Sequence, residues 1–133
     1  QGHFNHGRGE ANDARCAVDA VRDAAPGAPL LLAGYSFGAM VAASVADEVR
    51  PAAMVLVSPP LGMASLASLD ARVPTLMVTG ERDEIAPAAA IRALAGGRHR
   101  AVVVEGADHA WWPGCEALIR EVENFVDSLA YRV

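Results

Sequence analysis

The sequence predicts an α/β fold in which a parallel sheet carries helices on both of its faces. Apolar residues at helical spacing alternate along the chain with short apolar runs that contain no charged residue. Such runs are typical of strands that are covered on both sides, and strands joined by helices pair in parallel. We expect residues 1–133 to form a single domain, since a chain of this length suits one core.

The first half of the chain predicts a helix, a strand and a second helix. Helical spacing over 12–25, carried by Cys16, Ala17, Ala20, Val21 and Ala24, stops at Pro26 and Gly27. The apolar run 30–34 predicts a strand, and the helical pattern 36–49 follows it without a linker. The strand therefore leads through a tight turn directly into a helix.

The second half continues with strands and helices in the order β, β, α, β, α. A non-repetitive loop over 61–73 could hold a short helix around Leu66 and Leu69. Pro87 suits the first turn of a helix that ends at 96–97. The remaining predicted strands are 53–57, 75–79 and 101–104, and a final amphipathic helix runs from 118 to the C-terminus.

Composition excludes several classes of partner. The net charge is −5, every cationic side chain is an arginine, and no basic cluster is present, so nucleic acid is not expected as a partner. The uncharged stretch 24–46 is long enough to cross a membrane, but prolines, glycines and serines interrupt it, and a buried strand, turn and helix explain it better. No signal peptide is visible, so we expect a cytoplasmic protein without membrane contact.

The histidines and cysteines do not predict a metal site or a disulfide framework. Cys16 and Cys115 lack ligand spacing and are interpreted as buried free thiols. His3, His6 and His99 are interpreted as surface residues. We therefore expect no metal and no cofactor.

Three chemically active residue types follow the ends of predicted strands. Ser36 follows the first strand between Gly34 and Gly38, Asp83 follows the third, and His109 follows the fourth. The carboxyl ends of parallel strands meet at one edge of a sheet, so a hydroxyl, a carboxylate and an imidazole should converge there. A serine needs a base to act as a nucleophile, and the base needs an orienting acid.

The spacing Gly-x-Ser-x-Gly has a physical reason at such a turn. The serine takes a strained backbone conformation, and glycines two positions before and after it remove side chains that would collide. The backbone N–H of Phe37 would then stabilise an oxyanion at the start of the helix. The alternative interpretation of Ser36 is an ordinary tight turn.

Other residues compete for roles at the same edge. Glu81 and Glu84 are alternatives to Asp83, which could instead cap the turn before Pro87, and Asp108 is interpreted as a residue that fixes its loop. His109 could be an ordinary loop histidine, and Glu10 is placed at a helix start. Tyr35, Trp111 and Trp112 are candidates for binding the substrate, with packing as the alternative for each.

The quoted segments resemble the α/β-hydrolase superfamily, especially its small lidless members of the predicted esterase type. The resemblance lies in LLLAGYSFGAMVA, VSPP, VPTLMVTGERDEIAP and VEGADHAWW, and it extends weakly to GRGEANDA. It implies that Ser36 is the nucleophile, Asp83 the acid and His109 the base. The implied reaction is hydrolysis of small-molecule carboxylic esters or thioesters through an acyl-enzyme.

The resemblance covers only the C-terminal part of such a domain. In the superfamily, earlier strands complete the sheet and a loop supplies a second oxyanion N–H, and no candidate for either is found in this sequence. We therefore expect a partial fold that pairs with an N-terminal segment or with a second subunit as a homo-oligomer. The alternative function is a hydrolase-like fragment or pseudoenzyme that acts as a binding or assembly module without turnover.

Overall fold

Four parallel strands form one sheet in the order in which they occur along the chain. The computed structural model describes residues 8–60, 66 and 69–130. The strands are β1 (Leu31–Tyr35), β2 (Ala53–Val57), β3 (Thr75–Gly80) and β4 (His99–Val104), paired as β1-β2-β3-β4. The parallel sheet predicted from the uninterrupted apolar runs is confirmed.

One face of the sheet is covered by the C-terminal helix. Side chains alternate between the faces along each strand, so Val55, Leu76 and Val78 point the same way. They pack with Phe125 of helix α4 (Cys115–Ala130) in one buried cluster. The amphipathic pattern of the last segment therefore reflects burial of one helix face against the sheet.

The opposite face is covered by two helices. Leu56 and Met77 pack with Met40 of α2 (Phe37–Val49) and with Ile91 of α3 (Ala88–Arg92). Helices on both faces are thus confirmed. The helix expected from Pro87 is shorter than the pattern indicated, and Pro87 takes its N-cap position.

The first helix packs on α2 rather than on the centre of the sheet. Helix α1 (Arg8–Ala24) begins at Arg8 instead of residue 12, and Glu10 lies in its first turn as predicted. Its buried stripe is Ala11 and Val18, packed with Val45. The helix predicted over 12–25 is confirmed, although the residues that carried its helical spacing are exposed: Cys16, Ala17, Ala20, Val21 and Ala24. Ala17 and Val21 are exposed because this side of α1 faces an open apolar groove rather than a packed element.

Both cysteines are free, but the expectation that they are buried is wrong. Cys16 lies on the exposed side of α1 and Cys115 opens α4 at the surface. His99 also differs from its predicted surface role, since it opens β4 half-buried with Nε2 3.3 Å from the carbonyl oxygen of Asp70.

Some predicted features fall on residues that the structure does not describe. His3 and His6 lie outside the described residues, as does most of the short helix suggested around Leu66 and Leu69. Leu66 itself is buried in the same apolar cluster as Met40 of α2 and Ile91 of α3. Among the described helices, none combines the length and the hydropathy that crossing a membrane requires.

Candidate active site

Ser36 occupies a sharp turn between a strand and a helix. β1 ends at Tyr35 and α2 begins at Phe37, so Ser36 alone makes the turn, with φ 51° and ψ −122°. A non-glycine residue adopts such a conformation only when its surroundings hold it there. The Ser36 N–H donates to the carbonyl oxygen of Val57 at 2.8 Å, and the Ser36 carbonyl accepts from Ala39 at 3.0 Å. The hydroxyl is therefore held at the carboxyl edge of the sheet.

The two glycines around the turn have different roles. A Cβ on Gly34 would lie 2.3 Å from the carbonyl oxygen of Gly38, so only glycine allows the strand and the helix to approach this closely. A Cβ on Gly38 would meet nothing within 4 Å among the described residues. The expectation that both glycines remove collisions is right for Gly34 and wrong for Gly38.

This difference predicts opposite outcomes for two alanine substitutions. Gly34→Ala should cost about 1–3 kcal/mol of stability through overpacking, and it should lower any rate of ester turnover that depends on Ser36 by about 100-fold, since it displaces that residue. Gly38→Ala is the matched control, since alanine is favoured in a helix and its methyl group meets open space. Denaturant unfolding and ester turnover would measure both effects. Equal losses in the two variants would contradict this assignment.

A continuous line of hydrogen bonds joins the three residues predicted to converge. Ser36 Oγ lies 2.9 Å from Nε2 of His109. Nδ1 of the same ring lies 3.0 Å from each carboxylate oxygen of Asp83. Because the two ring nitrogens face different partners, an ionised Asp83 fixes the tautomer that leaves Nε2 as an acceptor toward Ser36.

The Asp83 carboxylate is fully buried and is surrounded by donors. Its side chain has no exposed area, and Oδ1 accepts from the backbone N–H groups of Ile85 at 3.0 Å and Ala86 at 2.8 Å. Burial alone would raise the pKa of Asp83. Hydrogen bonds from Ala86, from the Ser58 hydroxyl and from His109 outweigh that effect and hold the pKa below its ordinary value. The carboxylate therefore remains ionised at neutral pH.

Close backbone contact between two loops brings Asp83 to His109. A Cβ on Gly80, the last residue of β3, would lie 2.3 Å from the carbonyl oxygen of Ala107. The same carbonyl accepts from the Arg82 N–H at 2.9 Å, and the Gly106 N–H donates to Oε2 of Glu81 at 3.0 Å. The Glu81 carboxylate thus links the two loops by a hydrogen bond. Asp83 is therefore the acidic residue of this loop that faces the imidazole.

The remaining competitors do not contact the histidine ring. Glu84 is exposed beside the buried Asp83. The backbone carbonyl of Asp108 accepts from the Trp111 N–H at 3.3 Å, a bond that does not involve the Asp108 side chain. Oδ1 of Asp108 is buried and has no hydrogen-bond partner among the described residues.

The aromatic candidates separate into three different environments. The Tyr35 hydroxyl donates to the carbonyl oxygen of His109 at 2.6 Å, and the two rings lie 5.5 Å apart, so Tyr35 supports the histidine loop. Trp111 is 7% exposed and its indole N–H donates to Ser58 Oγ at 3.0 Å, whereas Trp112 is 88% exposed. Trp111 therefore packs inside, and only Trp112 and one side of Tyr35 are available at the surface. Phe37 opens α2, which places its N–H at the positive end of the helix.

Ser58 is a residue that the sequence analysis did not single out. It follows β2 at the same edge of the sheet, it has no exposed area, and its hydroxyl contributes to lowering the pKa of Asp83. The signal that could have found it is its position, since it is a hydroxyl residue directly after a buried strand.

An apolar groove runs beside the open edge of β1. Its volume is about 520 Å³, and Val21 of α1, Leu31 of β1 and Val41 of α2 are among its lining residues. Within the residues that the structure describes, no strand pairs with the outer side of β1. The groove reaches Phe37 and so ends next to the turn at Ser36. A separate cavity of about 730 Å³ lies at the amino ends of the strands, near Arg50 and Pro74, away from Ser36.

Comparisons with known proteins agree with this architecture. Residues 10–125 match the family described as an alpha/beta hydrolase domain. A serine hydrolase without a lid from Xanthomonas campestris is 30% identical, with a TM-score of 0.72, over 81% of this chain and 51% of that one. A serine hydrolase homologue from Coxiella burnetii is 32% identical, with a TM-score of 0.76, over 97% of this chain and 62% of that one.

A third structure, a putative hydrolase of unknown function from Agrobacterium tumefaciens, is 26% identical with a TM-score of 0.84. It is matched over 96% of this chain and 63% of its own length, so the present chain spans about half to two thirds of these three proteins. No curated protein matches significantly. From the family match over most of its length and the shared sheet, the chain belongs to the α/β-hydrolase superfamily.

Proposed function

We propose that this chain carries the nucleophile, the base and the acid of a serine hydrolase that cleaves carboxylic esters or thioesters. The observation that carries the proposal is the unbroken line of contacts from Ser36 Oγ through both nitrogens of His109 to Asp83, at 2.9 and 3.0 Å. These are the distances that proton transfer between a nucleophile and a base requires.

Each residue has a defined step in the proposed reaction. Ser36 Oγ attacks the acyl carbon while Nε2 of His109 takes its proton, and the Phe37 N–H donates to the oxyanion that forms. The imidazolium returns that proton to the departing alcohol or thiol, which leaves an acyl group on Ser36. Water then attacks the acyl carbon by the same route and releases the carboxylic acid and the free serine. Asp83 stays ionised throughout and holds the imidazole.

Covalent labelling tests this proposal directly. A fluorophosphonate probe is expected to add to the folded chain, and peptide mapping is expected to place the adduct on Ser36 rather than on Ser44 or Ser58. A burst of alcohol from an activated ester would show the acyl-enzyme. A chain that takes up no probe, or takes it up equally on several serines, would contradict the proposal.

The open groove favours a second candidate, a module that pairs with another polypeptide segment. We propose that its occupant is an apolar strand from the part of the domain that the longer relatives possess. Leu31, on the unpaired strand, is 40% exposed, and Val21 of α1 is 55% exposed. A strand with an open edge and apolar side chains readily pairs with another strand. If Ser36 were unreactive, the chain would act only as a binding or assembly module and would catalyse no reaction.

Without that strand, copies of the chain are expected to associate through the same open edge of β1, and a charge at this edge should reduce that association. Leu31→Lys is expected to lower the associated fraction by about tenfold or more, since lysine on an edge strand opposes pairing. Ile119→Lys, which places the same charge on an exposed apolar position of α4, is the control. Light scattering would measure both variants. An unmodified chain that is monomeric, unfolds cooperatively and is fully active would show that the groove needs no occupant.

A further inference from the structure

Ser58 and Trp111 form a buried polar pair at the edge of the sheet that also carries Asp83. Ser58 has no exposed area, Trp111 is 7% exposed, and the indole Nε1 lies 3.0 Å from Ser58 Oγ. The Ser36 hydroxyl and the His109 ring form their hydrogen bonds with each other and with Asp83, not with Ser58 or Trp111. A buried hydroxyl and a buried indole that bind each other beside an ionised acid call for an explanation.

The direction of the hydrogen bonds follows from the chemistry of the donors. An indole N–H can only donate, so Ser58 Oγ accepts from Trp111. The hydrogen of the Ser58 hydroxyl then has to point to another acceptor. The Ser58 N–H donates to the carbonyl oxygen of Val78 in β3 at 2.7 Å, and Asp83 follows β3 at the same edge of the sheet. The buried acceptor at that edge is the Asp83 carboxylate, whose pKa the Ser58 hydroxyl helps to hold below its ordinary value. The order is therefore Trp111 to Ser58 to Asp83.

The end of β2 connects this pair to the nucleophile. The carbonyl oxygen of Val57 accepts from the Ser36 N–H at 2.8 Å, and Ser58 is the next residue along the chain. The other donors to Asp83 Oδ1, Ile85 and Ala86, belong to the loop of the acid itself. Ser58 thus connects the Asp83 carboxylate to β2, the strand whose last carbonyl group also holds the turn at Ser36.

Both residues adopt backbone conformations that side chains disfavour. Ser58 has φ 46° and Trp111 has φ 61°, although neither is a glycine. Strain of this kind persists only where the surroundings hold it, and it is concentrated at functional sites. The Trp111 conformation turns its indole inward, whereas the adjacent Trp112 is 88% exposed.

We propose that Ser58 and Trp111 are positioning residues, with the Trp111 indole orienting the Ser58 hydroxyl so that it holds the Asp83 carboxylate against His109. This inference rests on the proposed serine hydrolase function. Both residues act through Asp83, and neither residue contacts the substrate. Their removal should therefore lower kcat and leave KM nearly unchanged.

Kinetics of single and double variants test the order of the pair. Ser58→Ala is expected to lower kcat by about 10- to 100-fold, and Trp111→Phe, which removes only the N–H and part of the ring, by a smaller factor. The double variant should be no slower than Ser58→Ala, because the indole acts only through the hydroxyl. Ser58→Cys, which keeps a weaker donor, should fall between the unmodified chain and Ser58→Ala.

A matched variant controls for the loss of a hydroxyl elsewhere. Ser128→Ala removes a hydroxyl that donates to the Phe125 carbonyl within α4. This variant should keep the original kcat. Additive losses in the double variant, or a rise in KM without a fall in kcat, would overturn the proposal.

Nuclear magnetic resonance of the indole groups reports on the link without any turnover. The chain has two tryptophans, so it gives two indole N–H signals, and Trp111→Phe assigns them. Ser58→Ala should move the Trp111 signal and speed its hydrogen exchange, and it should leave the Trp112 signal in place. An unmoved Trp111 signal would overturn the proposal.

Magnetic resonance together with fluorophosphonate labelling distinguishes a failure of the positioning role of Ser58 and Trp111 from a failure of the serine hydrolase function. A chain that takes up no fluorophosphonate would contradict the serine hydrolase function itself. In that case, a change of the His109 ring signals in Ser58→Ala would still support positioning through Asp83. Unchanged ring signals would oppose it.

Discussion

Ser36→Ala is expected to lower kcat for ester hydrolysis by about 10⁴- to 10⁶-fold and to abolish fluorophosphonate labelling. The hydroxyl oxygen lies 2.9 Å from Nε2 of His109, and the substitution removes the atom that would form the acyl-enzyme. The alanine keeps the same turn, since the backbone bonds of residue 36 to Val57 and Ala39 do not use the side chain. Turnover of an activated ester and gel detection of the probe would measure both effects.

Ser44→Ala provides the matched control for this prediction. Ser44 is also a serine of α2, but its hydroxyl donates to the Val41 carbonyl within the helix and lies on the exposed side. Its loss should leave turnover and labelling unchanged. Residual labelling of Ser36→Ala at the original rate would show that another residue is the nucleophile.

Asp83→Asn is expected to lower kcat by about 10⁴-fold while the chain remains folded. The amide can still accept the backbone bonds from Ile85 and Ala86, but its NH₂ group would donate to Nδ1 of His109. The histidine would then carry its hydrogen on Nε2 and could not accept the proton of Ser36. Glu84→Gln, on the same loop but exposed, should keep the original rate. A strong loss in Glu84→Gln and a mild one in Asp83→Asn would reverse the assignment of the acid.

The same carboxylate predicts how stability depends on pH. The folded pKa of Asp83 is below its ordinary value, so its contribution to stability is present above the unfolded pKa of about 3.9 and is lost as the pH falls through the folded pKa. The difference in Tm between the unmodified chain and Asp83→Asn should therefore narrow below about pH 4. Thermal unfolding between pH 3 and pH 7 would measure it. A difference that widens on acidification would show that the carboxylate is not stabilised in the fold.

The arrangement of strands and helices could be predicted because it depends on local patterns. The uninterrupted apolar runs of β2 and β3 indicated burial on both faces, and both strands are buried at most positions. The exposure of Val21 in α1 could not be predicted in the same way, because the apolar side of this helix packs on α2 at some positions and faces the open groove at others. Contact with α2 decides that Ala11 and Val18 are buried and that Val21 faces the groove.

Within the site, three residues could be placed at one edge from their positions after strands, and the structure brings Ser36, Asp83 and His109 into hydrogen-bond contact. The difference between Gly34 and Gly38 could not be predicted, because the motif contains both residues in equivalent positions. It depends on which backbone atoms lie opposite each Cβ.

The order of the elements, the parallel sheet and the edge at which a serine, an acid and a histidine would meet could all be predicted from the residues. Long-range contacts in the folded chain place Asp83 rather than Glu81 against the imidazole, turn Trp111 inward while Trp112 stays exposed, and bring Ser58 to support the acid. The physical reason is that strand position follows from local hydropathy and topology. Side-chain direction in the loops depends on individual backbone angles, such as the positive φ of Ser58 and Trp111, and long-range packing sets those angles.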